Sequence, residues 1–302
     1  MAVVKKKAPP AKGKAPEPRK PANVPARQAE AKLPAKTLDF AADAGKGMEN
    51  ATTDDFAIPF IKVLQKGSPE VDEAGGQAIE GAEAGMFMEV ATGEFFTEMD
   101  MVPCAYQRKF IKWGNRKAGG GFKGTFTPEQ AAELRSKGLV IEIDGKLFFP
   151  MPDGKVDPNK SDILSDTREH YILRLSEDGP RQAILSLTST QIKKSKALNS
   201  ALANRKEPHP SGNGKYTPPT FANVVSATAN NPEKNDQGSW YGVEFALNGL
   251  VDNPDVYDVA RAFHRQVSEG KGRVDYSTAE QPGGVGGPDG SGNGENWDDA
   301  GR

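Results

Sequence analysis

Three hairpin signatures punctuate the middle of this chain and restrict it to a strand-rich fold. Gly85 to Phe96 reads as two short strands around Ala91-Thr92-Gly93, and Val140 to Pro150 turns on Asp144-Gly145. His170–Leu175 and Arg181–Thr188 flank a third turn, Glu177-Asp178-Gly179-Pro180. Gly and Asp at such positions tolerate the left-handed backbone that tight hairpins require. Met99 to Trp113 is a long run of β-branched and aromatic residues, with a bend expected at Pro103, which has no N–H for a ladder. Asp54 to Gln65 is the first core-like segment, interrupted by Pro59, and Phe221–Thr228 and Ser239–Asn248 are the last strand candidates.

Helices are expected in three places. Pro128–Lys137 has Thr127 as N-cap and Pro at the first helical position. Thr190–Asn204 has Ser189 or Thr190 as cap and Ile192, Leu198, Ala201 and Leu202 on one side. Asp255–Gln266 places Val256, Val259, Ala260 and Phe263 on one stripe. The order predicts a β-rich α+β fold: a mostly antiparallel sheet or OB-like barrel with two or three helices and disordered termini.

The ends set the domain limits. Residues 1–36 carry ten Lys/Arg against two Glu and little that is apolar, which predicts a disordered basic Lys/Pro/Ala arm. Residues 274–302 carry six acids against one Arg in a Gly-rich context, which predicts a flexible acidic tail. Residues 37–273 are then a single globular domain. The net charge of −2 conceals this asymmetry and shows that the body is not globally basic, so an anion site there must be a local stripe.

Two acid-free cationic blocks supply such stripes. Val102 to Phe126 holds Arg108, Lys109, Lys112, Arg116, Lys117 and Lys123, interleaved with Tyr106, Phe110, Trp113, Phe122 and Phe126 and broken by Gly119–Gly121. Cations track phosphates and rings stack on unpaired bases, so this composition points to single-stranded nucleic acid. As a strand, Tyr106, Arg108, Phe110 and Lys112 share one face and Gln107, Lys109, Ile111 and Trp113 the other. The alternative is that one face packs on the core and the lysines solvate an edge strand. Thr188 to Lys206 holds five further cations, with Lys193, Lys194 and Lys196 spread around a helix. Trp240 and Tyr241 are additional stacking candidates.

Catalysis finds little support. His170, His209 and His264 lack metal-site spacing and read as surface or capping residues. Cys104 is the lone cysteine, which excludes an internal disulfide and a thiolate cluster and suits a reducing cytoplasm. Asp54-Asp55, Asp162, Asp166 and Asp298-Asp299 are able to ligate Mg²⁺, but carboxylates so common define no site. Gly119–Thr125 lacks the Lys-Ser/Thr of a phosphate loop, and the chain is expected to be no enzyme and to need no cofactor. No apolar run approaches the ~20 residues of a membrane helix.

The tail, Glu295, Trp297, Asp298 and Asp299 behind a Gly-rich spacer, resembles the tails of bacterial and phage single-stranded-DNA-binding proteins. That resemblance implies a contact with phage or host replication proteins, although Ala300-Gly301-Arg302 departs from the pattern. Four phrases, FAIPFIKVLQKGSPEV (56–71), AIEGAEAGMFMEVATGEFF (78–96), LSLTSTQIKKSKALN (185–199) and KNDQGSWYGVEF (234–245), resemble a family of tailed-bacteriophage proteins associated with DNA replication and recombination. The resemblance implies sequence-tolerant single-stranded-DNA binding, with homo-oligomerisation open. The alternative is a phage structural or assembly protein without nucleic-acid activity, in which the aromatics are core or subunit interface.

Overall fold

The computed structural model describes residues 40–279, apart from 45, 53–54, 74–76, 116–119 and 236–237. The basic arm, Asp54, Arg116, Lys117 and the tail residues Glu295, Trp297, Asp298 and Asp299 therefore lie outside the described residues. Residues 1–50 separate as their own unit, in which Ala41–Asp43 form one 3-10 turn. The unit from Ala51 onward carries the sheet.

In chain order its elements are β1 (Phe60–Val63), β2 (Phe87–Glu89), β3 (Glu94–Phe96), β4 (Glu98–Trp113), β5 (Phe122–Phe126) and α1 (Pro128–Ser136). Then come β6 (Ile141–Ile143), β7 (Lys146–Phe148), β8 (Ile163–Ser176), β9 (Gly179–Thr188) and α2 (Ile192–Asn204). The last are β10 (Glu207–Pro208), β11 (Lys215–Tyr216), β12 (Asn223–Thr228), β13 (Pro232–Asn235), β14 (Gly238–Tyr241), β15 (Glu244–Leu250) and α3 (Pro254–Ser268). Eleven strands form one sheet along the path β15-β12-β4-β8-β9-β1-β2-β3, with β5 beside β4 and the β6–β7 hairpin beside β8. Its named strand pairs are antiparallel except β1–β9, and the sheet curls into a half-barrel. The expected strand-rich α+β architecture with three helices is the one observed.

Local chemistry explains most boundaries. The β6–β7 turn is made by Asp144 and Gly145, both at positive φ (50° and 76°), as a two-residue hairpin demands. At α1, Thr127 accepts from the Gln130 N–H while Gln130 reaches back to the Thr127 N–H, closing a capping box ahead of Pro128. Asn253 caps α3, again with Pro at the first helical position. Strand β4 bends where expected: its register to β8 shifts between Pro103 and Ala105, which leaves Cys104 as a buried bulge residue.

The long β4 and β8 strands pair through thirteen positions from Asp100↔Leu175 to Trp113↔Ile163, and helices pack on both of their faces. On one face, Met99, Met101, Ile172, Leu185, Leu187, Val225 and Ala227 pack beneath Leu198 and Leu202 of α2. On the other, Val102, Tyr171, Leu173 and Ile184 pack beneath Ala260, Phe263 and Val267 of α3. A third cluster at the far end of the first face joins Phe110, Leu147 and Leu164 to Ala131 of α1.

Three expectations are corrected. Strand β8 starts at Ile163, before His170, because its polar stretch Ser165–His170 is buried except at the half-buried Asp166 and no alternation survives in the sequence. The run Ser239–Asn248 is two strands, broken at Gly242-Val243. There Gln191 inserts: its Oε1 accepts from the Val243 N–H, and a Cβ on Gly242 would lie 2.5 Å from its Nε2. Neither Ser189 nor Thr190 caps α2; the residue ahead of it is Gln191, with no side-chain cap, after a 3-10 turn at Ser189–Gln191.

Candidate nucleic-acid interface

The face assignment of β4 is that expected from its period of two, but burial differs sharply along it. On the α2 side, Tyr106 and Arg108 are exposed while Phe110 is 8 % exposed under α1. On the α3 side, Trp113 is 3 % exposed and packs in the core with Tyr171 and Phe263. The rings of Phe110 and Trp113 are therefore turned inward, where a base does not reach them. Trp240 is likewise buried, and Tyr241 is half-buried, its ring lying where a Cβ on Gly85 would meet it at 2.7 Å. Phe122 remains partly exposed and stacks on Tyr276 at 4.8 Å with planes 12° apart, and Phe126 is half-buried against Phe149.

The cations of β4 and β5 meet acids supplied by β8 and by the segment just before it. Arg108 makes a bidentate contact with Asp166, at 3.0 and 2.8 Å, and this hydrogen bonding raises its already high pKa. Its guanidinium also lies 5.0 Å from the Phe110 ring centroid, closing that ring from above. Arg168 shares Asp166 and donates to the Tyr106 hydroxyl at 3.2 Å. Lys112 and Lys123 share Asp162 at 3.2 and 2.8 Å. Burial alone would raise the Asp162 carboxyl, but hydrogen bonds from Lys123 and Lys112 hold it below its ordinary value. Within this set five cations share three carboxylates, counting the buried pair of Lys109 with Glu169.

Lys109 is not a surface cation. Its ammonium lies 2.8 Å from the fully buried Glu169 and donates to the hydroxyls of Tyr171 and Tyr276, each at 2.9 Å. Both hydroxyls donate in turn to Glu169, at 3.0 and 2.8 Å. Burial, and next the Glu169 charge, push both phenols well above their usual range, so they remain donors. This network also holds the chain beyond the expected end of the body: Val274 bridges to Ile58, and Tyr276 packs against Phe60.

Helix α2 is different. Lys193 and Lys196 are exposed; Lys193 has only a 3.7 Å approach to Glu233, and Lys196 has no ion pair among the described residues. Lys194 is half-buried between Glu233 and Glu244. The two lysines and the Tyr106–Arg108–Arg168 group belong to the same side of the sheet, since α2 covers the face on which Tyr106 stands.

The histidine expectation needs one correction. His209 is exposed and bonds Ser211, and His264 bonds the Cys104 carbonyl at 2.8 Å. His170 is buried: its Nε2 meets Ser195 of α2 at 2.8 Å, its ring lies 5.2 Å from Tyr106, and burial depresses its pKa to about 4. Arg168, Glu169, His170 and Tyr276 were not anticipated as site residues. No motif marks them, because the β4–β8 register brings the first three beside the basic run and the 3-10 turn after α3 brings Tyr276 to Lys109 and Glu169. Among the described residues no group of three or more His, Cys, Asp or Glu is placed to hold a metal ion. Asp162 and Asp166 are instead occupied by lysine and arginine.

A curled, mostly antiparallel sheet with three helices defines a strand-rich α+β class of body; among the described residues no helix is long and apolar enough to cross a membrane. A family model for the Pam3 phage gp34-like protein matches residues 28–273, and the chain belongs to that phage protein family. No curated protein and no solved structure matches it.

Proposed function

We propose that this phage-family protein is a non-enzymatic binder of single-stranded DNA, acting in phage replication or recombination from the host cytoplasm. The observation that carries the reading is the exposed Tyr106, a residue 42 % accessible, whose hydroxyl accepts from Arg168 at 3.2 Å and which shares its strand face with Arg108. By strand position this group lies between the part of the face covered by α2 and the part covered by α1. A base stacks on Tyr106, Arg108 contacts a phosphate, and Lys193 and Lys196 extend the cationic path along α2. Phe110 and Trp113 act in this reading as the packed support of the floor and not as stacking rings. Arg116, Lys117, the basic arm and the acidic tail remain candidate contacts to DNA and to replication proteins.

Fluorescence anisotropy of a labelled single strand of about 30 nucleotides, beside the matching duplex and over a salt series, tests this. Tyr106→Ala is expected to weaken single-strand affinity by about 1–3 kcal/mol, the value of one base–aromatic stack, with unchanged thermal stability. An unchanged affinity in that variant removes the stacking role. The second reading, a phage structural or assembly protein, draws on the inward burial of Phe110, Trp113 and Trp240. Absence of single-strand binding at low salt would favour it.

A further inference from the structure

The two ends of the main sheet path are finished differently. At one end β3 has three residues, and its Glu94 is gripped by Arg174 and Arg181 at 2.6 and 3.2 Å, charges that blunt an edge. At the other end β15 pairs only with β12 among the described residues. Beyond Glu244 its sequence Phe245-Ala246-Leu247-Asn248-Gly249-Leu250 has no charge and no proline, the usual devices against edge pairing. Ala246 is exposed, and Leu247 and Leu250 are 38 % and 37 % exposed.

A groove runs beside this edge, between β15 and α2. Its two adjoining parts, of about 390 and 320 Å³, share Ala201 and Leu247. The floor is apolar: Ala197, Leu198, Ala201 and Phe245. Glu244 (side chain 52 % exposed) lies at one end, with Lys194 3.6 Å away, and Arg205 lies at the other, paired with Glu207 at 2.7 Å and donating to the Gly249 carbonyl at 2.8 Å.

We propose that β15 is a homodimer interface, on which a second copy of this chain adds its own β15 antiparallel about a two-fold axis through Ala246. An isologous contact must be self-complementary, and this edge is. Antiparallel pairing about Ala246 sets Phe245 opposite the partner's Leu247, extending the apolar groove across the axis. It also sets each Glu244 opposite the partner's Asn248, next to the partner's Arg205. The Asn248 bulge and the Arg205–Gly249 bond mark where the added pairing stops. The sheet then continues from one copy into the next, and both α2 helices lie on the same side of it.

Light scattering behind size exclusion on the full chain is expected to give twice the 32.4 kDa chain mass. Leu247→Glu is expected to halve that mass with an unchanged far-ultraviolet circular dichroism spectrum. Ala246→Cys is expected to form a disulfide-linked dimer under mild oxidation. The single native thiol, Cys104, is fully buried and its pKa is pushed up to about 12, so it does not compete. If Leu247→Glu fails to fold, the Ala246→Cys cross-link decides alone. A wild-type protein that stays at the single-chain mass over a dilution series overturns the proposal. So does a dimer that Leu247→Glu leaves intact and Ala246→Cys does not cross-link.

Discussion

The two acid-free cationic stretches, Val102–Phe126 and Thr188–Lys206, look alike in sequence and are neutralised to different extents in the fold. In the first, β4 lies against β8, and Arg108, Lys109, Lys112 and Lys123 find Asp166, Glu169 and Asp162 within salt-bridge distance. In the second, Lys194 and Arg205 find Glu233, Glu244 and Glu207, whereas Lys193 has only a 3.7 Å approach to Glu233 and Lys196 has no ion pair among the described residues. A run free of acids is thus no guide to the potential a ligand meets. Sheet pairing imports acids from distant parts of the chain, 58 positions for Arg108 and 39 for Lys123, whereas the helix leaves Lys193 and Lys196 largely in solvent and pairs only Lys194 closely.

The largest expected effect that sharpens this contrast is at Trp113. Alanine there is expected to destabilise the protein by about 3–5 kcal/mol, as truncation of a buried aromatic does, read from the urea midpoint. A variant with wild-type stability and impaired single-strand binding would instead restore Trp113 as a stacking ring. Next is the buried pair. Glu169→Gln leaves the Lys109 ammonium without its counter-charge and is expected to cost about 3 kcal/mol, the lower range for breaking a buried pair. Retained stability on equilibrium unfolding would mean that Lys109 reaches solvent and behaves like Lys193.

His170 offers a pH test of comparable size on the face that carries Tyr106. Unfolded, its imidazole takes a proton below about pH 6.5; folded, burial keeps it neutral down to about 4. The unfolded state therefore binds more protons in that window, so stability falls as pH drops from 6.5 to 4 and is unaffected above it. The full difference is about 3 kcal/mol, and His170→Gln is expected to flatten that part of the profile. An identical profile in wild type and variant would show that the ring is solvated.

The smallest effect belongs to α2. Lys193→Ala with Lys196→Ala is expected to change stability by no more than about 0.5 kcal/mol, as exposed substitutions do. The same pair is expected to lower the salt slope of single-strand binding by about 1.4, two single-strand phosphate contacts at about 0.7 each. An unaltered slope would assign the phosphate contacts elsewhere, to Arg108 or to the segments flanking the body.

What was legible in the sequence is the local chemistry. Asp144-Gly145 dictated a hairpin because left-handed backbone is inexpensive only for such residues, Thr127 and Pro128 dictated a helix start, and the composition of β4 dictated a long strand with a bend near Pro103. Each of these depends on neighbours a few residues apart, so a linear reading suffices. Tertiary structure alone decided which faces were inside. Strand β8 is buried on both sides, so its Ser165–His170 stretch shows no period, and it supplies Asp166 and Glu169 to cations that looked free in the sequence. It likewise turned Phe110 and Trp113 inward, left Tyr106 outside, and left β15 as an edge strand. The physical reason is that a side chain's direction follows from its own strand, whereas its burial and charge environment follow from whichever strand or helix the fold lays against it.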